Sequence, residues 1–109
     1  MRILIRKTAA LPRSLARLAR RRLEFALGRF GAHVRSLTVR MTDLNGPRGG
    51  VDKHCLVAIR LTSPPRLVVI EATDVEAEVA IARVAERAAR VVARAVHRLT
   101  DWRPSNGRS

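Results

Sequence analysis

Little in this sequence can cross-link, stack or span. It has one cysteine, Cys55, so no internal disulfide can form, and nothing points to an oxidising compartment. Aromatic residues make up 3% of the chain, and Phe25, Phe30 and Trp102 are all there are. With both phenylalanines expected in the core, that scarcity argues against recognition by stacking bases on rings. No apolar run reaches the roughly 18 residues that a bilayer span needs. Lysine occurs only as Lys7 and Lys53, and Asp plus Glu number nine.

Arginine fills the space. Lys plus Arg number 22, for a net charge of +13 over 109 residues. A codon preference would explain Arg in place of Lys, but not a more than twofold excess of base over acid. That excess implies a polyanionic partner, and the planar guanidinium leans toward nucleic acid. A hydrophobic content of 47% supports a folded chain, and its length fits one domain with a core of its own. The opening "MRILIRKTAALPRSLARLARRRL" has no acid before Glu24 and has the look of a transit peptide. Ile3, Leu4 and Ile5 read better as a strand, however, and Pro12 opens a separate helix.

The hydrophobic periodicity lays out six elements. Residues 2–7 form a short strand. A helix follows from Pro12 to about Gly28 or Phe30, ended by Gly31, with Leu11, Leu15, Leu18, Ala19, Leu23, Ala26 and Phe30 on one face. Arg13, Arg17, Arg20 and Arg21 lie opposite, and Arg22 falls on the apolar side, where it must snorkel. Residues 33–43 alternate, with Leu37, Val39 and Met41 inward; residues 53–62 do the same with Cys55, Val57, Ile59 and Leu61. Pro64-Pro65 makes a sharp turn before a third run, 66–72. Thr73-Asp74 caps a second helix, with Glu76 completing a capping box, and Ala77, Ile81, Val84, Ala88, Val92, Ala95 and Leu99 as its buried stripe.

The order is β-α-β-β-β-α. One sheet face is apolar and the other carries Ser, Thr, Arg and His, so both helices cover the apolar face. The expected fold is an α+β two-layer sandwich, a four-stranded sheet with two helices on one face, over residues 1–99. Residues 100–109 read as a disordered tail.

The second helix carries the sharpest pattern. Arg83, Arg87, Arg90, Arg94 and Arg98 recur at spacings that line one face, with Glu86 the one acid nearby. A solvated face usually mixes signs, because like charges at i,i+4 repel. A row of arginines therefore calls for phosphate. Side by side on the sheet, the two helices would form one broad basic surface able to grip RNA backbone without reading sequence.

Catalysis finds no constellation. Cys55 sits beside His54, but strand neighbours point to opposite faces, and Cys55 reads as a small core hydrophobe. Nothing in the spacing makes Asp52, His54 and His33 converge on a metal. Gly46, Gly49 and Gly50 match no nucleotide-binding fingerprint. The expectation is a protein that is not an enzyme, with no cofactor, no metal and no small-molecule substrate.

The β-α-β-β-β-α order, the basic helices, and "DLNGPRGGVDKHC" (43–55) leading through strands to "EATDVEAEVAIARVAERAARVVARAV" resemble the ribosome hibernation promoting factor and ribosome-associated inhibitor family. The resemblance covers about residues 1–99. It implies a cytoplasmic protein bound to small-subunit rRNA in the mRNA and tRNA channel, holding ribosomes inactive under stress. By position, Arg83, Arg87, Arg90, Arg94 and the turn residue Lys53 are the implied contacts. Arg98, Arg48 at the tip of the Gly-rich turn, and Arg13, Arg17, Arg20 and Arg21 are further candidates from charge. Long family members add a C-terminal dimerisation domain; this chain resembles the short form, expected to be monomeric off the ribosome. The competing readings are a general structured-RNA or DNA binder and a membrane-surface protein.

Overall fold

The computed structural model describes residues 1–7, 12–43, 53–62 and 65–101. Its elements are β1 (Arg2–Lys7), α1 (Arg13–Leu27) with a one-turn extension at Gly28–Phe30, β2 (Val34–Asp43), β3 (Lys53–Thr62), β4 (Pro65–Asp74) and α2 (Ala77–Asp101). The sheet order is β1-β2-β3-β4. The pair β1·β2 is parallel, while β2·β3 and β3·β4 are antiparallel. A parallel pair needs a crossover, and α1 supplies it. The α+β sandwich with β-α-β-β-β-α order is the fold the pattern anticipates.

One-sided burial explains the alternation. Leu37, Val39 and Met41 of β2, Cys55, Val57, Ile59 and Leu61 of β3, and Ile70 and Ala72 of β4 are buried together beneath the helices. From above they meet Ala19, Leu23 and Leu27 of α1 and Ile81, Val84, Ala88, Val92 and Ala95 of α2. Most of the expected inward residues are therefore in the core, and Leu27, Val34, Ala80, Ala85 and Val96 join them. Leu11 lies outside the described residues.

Several local expectations change. Phe30 is buried, but Phe25 is 91% exposed and takes no part in the core. Position 25 is two residues from Leu23 and two from Leu27, so on a helix it cannot share their face. Arg22 borders Ala26 and Ala85 yet is exposed, as a snorkelling side chain must be. Gly31 keeps a right-handed backbone (φ −55°), so α1 stops at Leu27 through a tightened turn in which the Gly31 N–H donates to the Gly28 carbonyl at 3.1 Å.

The second helix starts later than a capping box at Thr73 requires. Thr73 still belongs to β4, paired with His54, and Asp74 is paired with Lys53. The strand ladder wins over the cap. Asp74 Oδ1 instead accepts the Glu76 N–H at 3.1 Å, and the Glu76 carbonyl receives the first helical bonds, from Val79 and Ala80. Pro65 opens β4 opposite Thr62, where the first residue of an edge strand needs no N–H. At the far end α2 runs through Asp101, two residues past Leu99, and 102–109 lie outside the described residues.

One irregularity breaks the alternation of β2. Val34 pairs with Leu61 and Ser36 with Arg60, so Arg35 is an extra residue with no partner in the ladder. In strict alternation Arg35 would point into the core with Leu37. The bulge rotates it out and buries Val34 instead, as bulges do when they re-aim a side chain.

Candidate nucleic-acid interface

The arginines of α2 lie where their spacing placed them, in one row. Arg83, Arg87, Arg90, Arg94 and Arg98 are all exposed. The row faces the free edge of the sheet. Arg87 Nη1 donates to the backbone carbonyl of Glu71 in β4 at 2.8 Å, and Arg83 Nη1 lies 3.3 Å from Asp74 Oδ2. Arg90, Arg94 and Arg98 have no acidic partner among the described residues.

The arginines of α1 mirror this on the other side. Arg13, Arg17, Arg20 and Arg21 are exposed, and Arg20 Nη2 donates to the Ile3 carbonyl of the opposite edge strand, β1, at 3.2 Å. Arg20 and Arg87 thus reach opposite edges of the sheet, while Arg21 lines a recess with Leu18, Arg22 and Phe25. Between the helices runs a groove of about 570 Å³, lined by Ala82, Ala85 and Ala89 of α2, by Arg22 and Phe25 of α1, and by Arg29 of its one-turn extension. Arg29 is held there over the Phe30 ring, 4.8 Å from its centroid. Composition alone gave no sign of this groove or of an exposed ring within it.

The other candidates sit differently. Lys53 Nζ is 3.2 Å from Asp43 Oδ2, a cross-strand pair that closes the base of the β2–β3 hairpin. Its charge is therefore shared with a carboxylate. Arg48 and the glycines at 46, 49 and 50 lie outside the described residues, as does Asp52. His54 Nε2 is 2.7 Å from Glu71 Oε1 on the helix-free face of the sheet. Cys55 is 2% exposed, and burial pushes its thiol from 9.0 up to about 11, so it stays a neutral packing group. Among the described residues no group of three His, Cys, Asp or Glu is placed to hold a metal ion, and no helix is long and apolar enough to cross a membrane.

Chemically the described residues offer many positive forks and one exposed phenyl ring, that of Phe25. No family model matches the sequence, and no curated protein sequence matches it. Solved structures do. A ribosomal subunit interface protein from Coxiella burnetii has a TM-score of 0.69 at 10% identity, covering 86% of this chain and 96% of that one. The Protein Y N-terminal domain of Thermus thermophilus also has a TM-score of 0.69, at 19% identity over 86% of this chain and 98% of its own. At such identities the likeness is one of fold, and it extends over almost the whole of both neighbours.

Proposed function

We propose that this protein is a ribosome-associated factor that binds small-subunit rRNA in the mRNA and tRNA channel and holds translation off. The observation that carries the proposal is the α2 arginine row, exposed and with no acid partner for Arg90, Arg94 or Arg98 among the described residues, on a fold that over 86% of this chain is similar to a ribosomal subunit interface protein. A like-charged row on one helix costs stability unless an anion meets it. Phosphate contacts from the basic faces of two helices would seat the protein against folded RNA without reading its sequence. Phe25 in the inter-helix groove adds one ring on which an unpaired base can stack. In this reading the protein works by occupying space, as a cytoplasmic binder with no reaction of its own.

The test is sedimentation of the protein with ribosomes over a salt series, with the bound stoichiometry measured. Saturation near one copy per small subunit, competed by mRNA and tRNA, supports the channel reading. Binding that never saturates and vanishes with modest salt would leave a general structured-RNA or DNA binder.

A further inference from the structure

The sheet face turned away from the helices has an unbalanced charge. Arg2, Arg6, Arg40 and Arg60 project from it between Ser36 and Thr38, following the cross-strand register. Among the described residues of that face Glu71 is the one acid, and it is engaged by His54 at 2.7 Å. Arg6 lies directly opposite Arg40, and such like-charge neighbours cost stability.

At one end of this face the charges converge. A single cross-strand row runs Arg2, Ser36, Arg60 over β1, β2 and β3. The bulge brings Arg35 to the same place, and these four residues line one open recess of about 500 Å³. None of the three guanidiniums has an acidic partner among the described residues. Each presents a planar fork matched to phosphate oxygens. The Ser36 hydroxyl adds a donor in their midst. The adjoining row, Leu4, Thr38, Ala58 and Val69, exposes apolar surface, with Leu4 48% and Val69 53% exposed. Charge beside a shallow apolar strip suits a sugar-phosphate strand better than a free anion.

We infer that Arg2, Arg35, Ser36 and Arg60 form a second phosphate-binding site, on the open sheet face, which takes the backbone of an RNA strand separate from the one met by the helices. The bulge is the device that builds it: without Arg35 turned outward the row would hold two guanidiniums, not three. The inference rests on the RNA-binding reading above.

The test follows the arginine Nε–H signals of the ¹⁵N-labelled full chain by NMR while a short duplex RNA is added, and in parallel anionic phosphatidylserine vesicles. RNA should move the signals of Arg2, Arg35 and Arg60. Arg35→Gln, at an exposed position, should keep the circular dichroism spectrum and lower the slope of log Kobs against log salt by about 0.9, one phosphate contact. Arg90→Gln with Arg94→Gln on α2 is the comparison. If that pair weakens RNA binding while Arg35→Gln and the three signals do not respond, the sheet site is refuted and the helix reading stands. If neither variant changes binding, both readings fall. Signals moved by vesicles and not by RNA would overturn the site in favour of a lipid surface.

Discussion

Arg87 of α2 donates to the backbone carbonyl of Glu71 in the edge strand β4 at 2.8 Å. Its neighbours in the same row, Arg90 and Arg94, are exposed and make no ion pair among the described residues. One row of five similar side chains therefore contains two kinds of residue. Arg87 pins the helix to the sheet edge; Arg90 and Arg94 add charge alone. Arg87→Gln should lower unfolding stability by about 0.5–1 kcal/mol, less than a buried charged hydrogen bond contributes because the group is exposed. Arg90→Gln and Arg94→Gln should leave stability unchanged or raise it slightly by relieving repulsion. Urea denaturation separates the two kinds, and equal losses at all three positions would contradict the division.

Phe25 and Leu23 are two residues apart and opposite in consequence. Leu23 is 1% exposed, so Leu23→Ala should cost about 2–5 kcal/mol through lost burial and the cavity left behind. Phe25 is 91% exposed, so Phe25→Ala should stay within about 0.5 kcal/mol of the parent. The same change should weaken single-stranded RNA binding by about 1–3 kcal/mol, the usual worth of one stacked base. Thermal melts and fluorescence anisotropy with a labelled oligonucleotide measure both. An unaltered RNA affinity would remove the ring from the interface.

What could be read beforehand depended on how many solutions each local pattern allowed. Cys55, Val57, Ile59 and Leu61 were legible because a sheet buried on one side writes a period of two into the sequence. Arg35 was not, since a one-residue bulge reverses the parity and Val34 is apolar enough to serve either phase. Thr73-Asp74 reads equally as a helix cap or as the end of a strand; pairing with His54 and Lys53 decides for the strand. The arginine rows were visible in their spacing. Their direction was not, because it depends on which flank each helix turns to the other, and the contacts of Arg20 with β1 and Arg87 with β4 settle it. The exposure of Phe25, by contrast, was legible in the helical spacing that sets position 25 off the face of Leu23 and Leu27.

Lys53 and Asp43 stand opposite each other across β2 and β3, with 23% and 15% of their side chains exposed. A half-buried cross-strand pair at a hairpin base should show a coupling of about 0.5–1 kcal/mol in a double-mutant cycle of Lys53→Ala and Asp43→Ala. Asp43→Ala alone has a second consequence. It removes one carboxylate from beside Lys53, so RNA binding should tighten while the fold loosens. A cycle with no coupling, or RNA affinity that falls with Asp43→Ala, would count against this placement of Lys53.

Cys55 gives the pH prediction. Burial pushes its thiol from 9.0 up to about 11, so the folded state holds the proton more tightly than the unfolded chain does. The contribution is fully present below about pH 9 and is lost as pH rises through 11, at a rate of up to about 1.4 kcal/mol per pH unit. The window is clean here, because the chain has no tyrosine and only two lysines. Urea unfolding at pH 8 and at several points above 9 should show stability falling, and Cys55→Ala should flatten that part of the curve. Thiol reagents should likewise react with the native protein only as fast as it opens, since 2% of the residue is exposed and the nucleophile is the thiolate. Rapid labelling at neutral pH without unfolding would show that Cys55 is not enclosed between β3 and α2.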